Sequence, residues 1–419
     1  MTGSSGGITV VRGAKVFDGL SFLPGSPDVV LEGGVITAVG PDVGANAETR
    51  AGDTSAQVEV IDATGHTLTP GFVDAHVHML MENAGDLSAI LDPFSLQFYR
   101  SVHYMRRTLD VGITTVRDAG GADLGLKTAQ ETGVVAGPRL RISVNLIGQT
   151  GGHSDHLLPS GVQVPLFAAC PGRPDGVGDG PDELRTLTRR MFRAGADQIK
   201  ICTTGGVLSP GDDPRHSQLT LEEIRAVVQE AAAHESYVMA HAQGTAGIRN
   251  AILGGVRSIE HGIYLDDETI QLMLDHDVFL VPTLVAPLAV LATAATRSMN
   301  ERVVAKAKGV VEIHRAAVAR AIEAGVRIAF GTDTGVGPHG KNLDELALLA
   351  DAGMSLEAAL AAATSVSADL VAPDAGVGRI AEGHRADLVL LDRRLERTAD
   401  LAGIDQAVVG VFQGGTRVR

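Results

Sequence analysis

The chain has 419 residues, a formal net charge of −15, 44% hydrophobic and 20% charged residues, only 3% aromatics and no Trp. That length suits one large domain with a smaller companion, and a core left to Ala, Val, Leu and Gly suits helices packed on a parallel sheet. The acidity argues against nucleic acid or anionic lipid as partners, and no membrane span is expected, because Pro282 and Pro287 interrupt the longest apolar stretch, Phe279 to Ala295.

The first seven residues have neither the basic start nor the apolar run of a signal peptide. Two cysteines, Cys170 and Cys202, are too few for a disulfide scaffold. A reducing, cytoplasmic setting is expected. Cys202 lies two residues after Lys200 on the same strand face, and a small buried thiol is its simplest reading.

Residues 8–68 read as short strands, with β-rich runs at Ile8–Val11, Val29–Leu31, Val35–Val39 and Val58–Ile61 between Gly, Pro, Asp and Asn. The last segment reads alike, at Ala386–Leu391, Ala407–Phe412 and Arg417–Val418. Each end is too small to bury a core alone. Together, residues 1–68 and 374–419 are expected to build one small β-sandwich, with the rest of the chain inserted between them.

Residues 69–373 alternate apolar strands with helical patterns, the signature of βα units. Eight strands are expected near Gly71–His78, Thr114–Asp118, Leu140–Leu146, Gln198–Cys202, Val238–His241, Ser258–His261, Phe279–Pro282 and Ile328–Asp333. Thr220 with Glu223 reads as a capping box opening a helix over Leu221–His234. Ser355 reads as the N-cap of a helix over Glu357–Ala363. The fold class is therefore α/β, a (β/α)8 TIM barrel carrying the β-sandwich.

The chemistry gathers at the strand ends. In Asp74-Ala75-His76-Val77-His78, positions i and i+2 share a face, so His76 and His78 present two imidazoles side by side. His-x-His alone is a weak metal signal. Lys200, His241, His261 and Asp333, however, also end otherwise apolar strands, and buried ionisable groups need partners. The C-terminal face of a barrel would collect all six in one pocket. A desolvated Lys200 has a lowered pKa and can add carbon dioxide, giving a carbamate that bridges two cations; a lysine salt-bridged to a nearby acid is the plainer alternative.

This set resembles the binuclear site of the amidohydrolase superfamily. Asp62-Ala63-Thr64-Gly65 before Pro70-Gly71-Phe72-Val73-Asp74, and Gly378–Gly383 with Ala386-Asp387-Leu388-Val389, resemble that superfamily's passages into and out of its barrel. Gly151–Asp155, Thr204–Pro210 with Asp213, Pro214 and Gln218, and Gly331–Gly335 with Pro338-His339-Gly340 are similar to the prolidase-like branch. That branch comprises metal-dependent carboxypeptidases and dipeptidases, ochratoxin-degrading amidases among them. The resemblance implies that His76, His78 and Asp333 hold one divalent cation and His241 and His261 a second, with zinc the first expectation for both. It further implies that carbamylated Lys200 and a hydroxide bridge the two cations, and that Asp333 shuttles the proton to the leaving amine. The implied partner is a small amide or dipeptide, and a homo-oligomer is expected.

Substrate contacts are open at this level. His153, in a Gly-rich loop, is a candidate for polarising the carbonyl or meeting a carboxylate, against a plain loop role. His156, Arg215, His216 and Tyr264 lie in or beside face loops, where a free α-carboxylate would bind. His339, after the eighth strand, is a candidate for substrate contact or a supporting role. His314 falls on a helix and reads as structural or exposed. The apolar run Thr283–Ala292 would overhang the pocket; lining the leaving-group site, it fits a hydrophobic C-terminal residue better than a basic one, and packing on the barrel is the equal alternative. Two rivals remain: a one-metal deaminase or imidazolonepropionase-like hydrolase, and a scaffold that has lost catalysis.

Overall fold

The computed structural model describes residues 7–54, 56–84, 91–155, 157, 160–209, 211–297 and 299–419. Two sheets are built near the chain ends. One has four strands, Val35–Gly40, Asp28–Glu32, Ile8–Arg12 and Val58–Asp62 in spatial order. The other joins both ends: Leu388–Leu391 runs antiparallel to Thr67–Pro70, pairing Leu388 with Pro70 and Leu391 with Thr67, while Val408–Gln413 and Lys15–Val16 flank them. Successive residues face opposite sides of each strand, which brings Val11, Val29, Leu31 and Ile36 of the first sheet and Leu68, Leu388, Leu390 and Phe412 of the second into one core.

The expectation of strands alone over residues 8–68 needs one correction. Val43–Thr54 is an α-helix. Its Gly, Asn and Asp content gives weak helix propensity, so packing decides. Ala47 and Ala51, one turn apart, bury against Ile8, Val10 and Val30.

The middle of the chain holds parallel strands alternating with helices. Phe72–Val77, Ile113–Asp118 and Arg139–Ile142 form one sheet; Leu146–Ile147, Ile199–Cys202, Val238–Ala242, Ser258–His261 and Phe279–Val281 form another. The expected third strand is thus split: the chain breaks between Ile142 and Leu146, where Val144 takes φ +67°. The expected eighth strand is not a regular strand but a bridged segment. Ile328 pairs with Leu280, Phe330 O accepts from Ala75 N at 2.9 Å, Asp333 N donates to His76 O at 2.7 Å, and Thr334 pairs with Val77. These contacts set residues 328–334 between the last and the first of the parallel strands.

Both helix starts read from the sequence are present. Thr220 and Glu223 form a capping box on Leu221–Ala233, and the Ser355 side chain caps Leu356–Ala361 through Ala358 N. The apolar run after Phe279–Val281 becomes the ten-residue helix Val285–Ala294, and among the described residues no helix is long and apolar enough to cross a membrane.

Candidate metal centre

The strand Phe72–Val77 is buried at every position, so the side chains of His76 and of His78, just past its end, lie inside the molecule. Asp333 Oδ1 stands 3.5 Å from His76 Nε2 and 3.3 Å from His78 Nε2. Among the described residues these three are the one group of His, Cys, Asp or Glu whose ligand atoms all lie within 4.8 Å of one another. The far nitrogen of each ring is already engaged: His76 Nδ1 donates to Glu260 Oε2 at 2.7 Å and His78 Nδ1 to Gly120 O at 2.8 Å. Those bonds fix the tautomer and leave both Nε2 lone pairs for a cation, the arrangement expected of histidine ligands.

The other expected ligands close the same cavity. Lys200 Nζ lies 3.4 Å from His76 Nε2. The His261 ring stands 5.1 Å from that of His76 and 4.8 Å from that of His241. His261 Nδ1 bonds Thr283 Oγ1 at 2.7 Å, which leaves Nε2. His241 is the reverse case, since its Nε2 donates to Gly205 O at 3.0 Å and leaves Nδ1. His153 stacks on His241 at 4.0 Å, with its Nδ1 bonded to Ser209 Oγ at 2.8 Å. His76, His78, His153, Lys200, His241, His261 and Asp333 all line this cavity.

Electrostatics follow from burial. Desolvation, helped by the positive charge of neighbours, holds His76, His241 and His261 well below the ordinary histidine range, so these rings are neutral donors. Burial lowers Lys200 in the same way, and no carboxylate lies within ion-pair distance of it among the described residues. Burial would lower His78 too, but the hydrogen bond and charge of Asp333 outweigh it and raise the ring. Asp333 would be raised by burial, yet His76 and His78 bring it below the usual carboxylate range. The chemistry of this donor set, imidazole nitrogens around an ionised carboxylate, suits divalent zinc, cobalt, manganese or iron. Burial pushes the Cys202 thiol up to about 12, so it is an inert thiol.

Backbone strain collects here. His261, Thr283 and Asp333 have φ of +75°, +55° and +55°, a region that costs a non-glycine residue on the order of 1–3 kcal/mol. All three stand at the cavity and none is a loop-tip residue, so the strain serves to aim side chains inward. Gly331 permits the approach of residues 328–334 to both flanking strands, because a Cβ there would lie 2.3 Å from Val281 Cγ1 on the last strand and 3.1 Å from His76 Cβ on the first.

The model of the amidohydrolase family matches residues 67–418. The chain belongs to the amidohydrolase family. Ochratoxinase of Aspergillus niger is 32% identical over 365 residues, covering 83% of this chain and 75% of that protein. Among solved structures, a prolidase complexed with N-methylphosphonate-L-proline is 37% identical, with a TM-score of 0.87 over 98% of this chain and 99% of that one. A Xaa-Pro dipeptidase with methionine bound in its active site is 30% identical, with a TM-score of 0.85 over 98% and 100% of the two chains. This amidohydrolase is accordingly a hydrolase acting on C–N bonds, with a metal site at His76, His78 and Asp333.

Not every expected substrate residue reaches the cavity of the amidohydrolase. Arg215 and His216 are exposed, and Arg215 is paired with Asp213 at 2.9 Å. Tyr264 is half-buried, and His339 donates from Nε2 to Met81 O at 2.8 Å while stacking on Tyr104. None of these four lines the cavity; His156 lies outside the described residues. His314 does line it, buried, its Nε2 donating to His261 O at 2.8 Å.

Sequence reasoning missed the charges that brace this centre. Glu260, fully buried, accepts from His76, from Arg117 Nη2 at 2.9 Å and from Ser258 Oγ at 2.5 Å. Asp74 accepts from Thr332 Oγ1 at 2.7 Å and Asn342 Nδ2 at 2.8 Å, and Asp118 accepts from Met79 N and Gly120 N at 2.7 and 2.9 Å. Burial pushes both aspartates up to about 6 against those hydrogen bonds. The signal was present: each is a charge inside a strand that otherwise reads as apolar.

Proposed function

We propose that this amidohydrolase releases a hydrophobic C-terminal residue from a dipeptide or N-acyl amino acid, using two divalent cations held by His76, His78, Lys200 as its carbamate, His241, His261 and Asp333. The observation that carries the reading is the lining of the cavity. The polar cluster meets a wall of Val207, Ile263, Pro287, Val290 and Val336, and Asp333 is the one acidic side chain among the described lining residues. A basic substrate side chain would find no carboxylate there except the one engaged with His76 and His78, whereas an apolar one is desolvated at little cost. The relatives that hold a prolyl phosphonate and a methionine support an amino-acid ligand of this kind.

Bound at this donor set, divalent cations would supply a water of lowered pKa and polarise the amide carbonyl. The chain's own residues do the rest. Asp333, aimed by its left-handed backbone and set within 3.5 Å of the Nε2 atoms of His76 and His78, takes a proton in the cavity and hands it to the leaving amine. His153, held by Ser209 beside His241, meets the substrate's carbonyl oxygen or carboxylate. The apolar wall excludes bulk water and orients the departing residue. In this reading the parallel strands and residues 328–334 close as a (β/α)8 barrel over residues 69–373, with 1–68 and 374–419 as the sandwich.

The test is an amino-acid release assay on protein purified without chelator, with metal counted by mass spectrometry. The expected result is about two divalent ions per chain and faster hydrolysis of Xaa-Leu, Xaa-Phe and N-acyl-Phe than of Xaa-Arg. About one ion, with turnover of cyclic amides or aminated rings instead, would favour the one-metal rival. A preference for Xaa-Arg would defeat the substrate reading.

A further inference from the structure

The helix Glu301–Ala324 packs through Val303, Ala307 and Val310 against Val207, Ile263 and Val290, and so backs the apolar wall of the cavity from outside. Between those contacts it sends Lys306 inward. Lys306 Nζ donates to three backbone carbonyls, Gly206 O at 2.5 Å, Ser209 O at 2.6 Å and Asp212 O at 3.2 Å, and stands 3.8 Å from Asp212 Oδ1. All three belong to the loop that follows the strand Ile199–Cys202. Carbonyl oxygens converging on one point repel each other unless a cation sits among them, and an ammonium has three donors for three acceptors.

What that loop carries makes the contact more than a surface tie. Val207 and Leu208 line the cavity. Ser209 Oγ accepts from His153 Nδ1 and itself donates to Asp212 Oδ1; Asp212 also accepts from Gly206 N at 3.1 Å and Gln218 Nε2 at 3.3 Å. Gln218 Oε1 in turn accepts from His153 N at 3.0 Å. The fit against His153 is close, since a Cβ on Gly206 would lie 2.2 Å from His153 Cε1. The loop therefore has one shape in which His153, the Val207–Leu208 wall and the carbonyl cluster are all satisfied.

We propose that Lys306 is a positioning residue that holds loop residues 204–209 and 211–213 in this shape, and through them sets His153 over the metal centre. The part concerning His153 and substrate rests on the function proposed above; the part concerning the loop does not. The test compares the metal-loaded wild type with Lys306→Met, which keeps the aliphatic stem and loses the charge. Lys306→Gln, a milder neutral change, gives the same readings should Lys306→Met not fold. Amide exchange in the loop is expected to quicken about tenfold while the strand Ile199–Cys202 stays protected. kcat/KM on the best substrate is expected to fall about tenfold or more, as for other displaced site groups. Lys306→Met on a His153→Ala background should then lower activity no further, because the two act as one unit. Unchanged exchange in the loop overturns the proposal whatever the activity. Faster exchange with losses that multiply in the double variant overturns the link to His153. A wild type inactive on every substrate counts against the proposed function alone and leaves the exchange result to decide on the loop.

Discussion

Glu260→Gln should separate what holds the fold from what tunes the metal. Glu260 and Arg117 are both fully buried, with Arg117 Nη2 2.9 Å from Glu260 Oε1, and the other carboxylate oxygen receives His76 Nδ1–H at 2.7 Å. Removing one partner of a buried ion pair leaves the other charge uncompensated, which costs about 3–5 kcal/mol. The carboxylate also raises the basicity of the His76 ring and fixes its orientation, and losing such a partner lowers metal affinity about 10–100-fold. Glu260→Gln should therefore show both defects. Arg117→Met with Glu260→Leu removes both charges, so much of the stability should return, because a buried pair replaced by apolar groups is close to neutral. The metal affinity should not return, since His76 Nδ1–H still lacks its acceptor. The assays are denaturant unfolding of the metal-free variants and competitive metal titration. A Glu260→Gln protein as stable as the wild type, or a double variant that regains full metal affinity, would refute this account of the centre.

Lys200→Arg, unable to form a carbamate, should stay inactive on addition of metal and bicarbonate, whereas chelated wild-type protein should regain activity fully only when both are supplied; activity in Lys200→Arg removes the carbamate from the mechanism. His339 is held down to about 3 by burial, so its folded pKa lies below the unfolded value and its contribution to stability, full above about pH 6.5, is lost as pH falls toward 3. His339→Phe, which keeps the ring on Tyr104, should lessen the fall of unfolding stability across that window while the other buried histidines keep theirs, and an unchanged acid limb excludes His339 as a contributor. Val290→Asp places a carboxylate in the apolar wall and should raise the ratio of Xaa-Arg to Xaa-Leu turnover about tenfold or more; an unmoved ratio places the substrate side chain elsewhere.

The metal group of His76, His78 and Asp333 and the ionisable residues that share its cavity were legible because their chemistry is rare at their positions. His76 and His78 occupy a strand with no other reason to alternate imidazoles, and Lys200, His241, His261 and Asp333 each interrupt an apolar run at its end. The same rule, a charge in an apolar strand, applies to Arg117, Asp118, Asp74 and Glu260, which were passed over because neighbours with stronger metal character explained the pattern first. Loop residues gave no such signal. Arg215 and His216 share a loop with the cavity-lining Val207 and Leu208, yet which side chain turns inward is set by the hydrogen bonds of Asp212, Asp213 and Gln218, and these have no periodicity to read. The helix Val43–Thr54 was hidden for a related reason: two alanines carry its contact, and a stripe that narrow does not stand out against Gly and Asn.

The charge count of the centre bears on what it binds. On the proposed ligand set the four imidazoles are neutral, and Asp333 and a carbamate on Lys200 each bring one negative charge, while Glu260 and Arg117 cancel outside them. Two divalent cations would then exceed their ligands by two charges, reduced to one when a bound water loses a proton. A surplus positive charge in a buried, water-poor cavity attracts an anion far more strongly than it would in water. Neither Arg215, tied to Asp213, nor any other arginine lines the described cavity to take a carboxylate, so the centre itself is the main attraction for one. A substrate with a free C-terminal carboxylate and an apolar side chain answers both the surplus charge and the Val207–Val290 wall, and the C-terminal amide of the same dipeptide, lacking the charge, should be the poorer substrate.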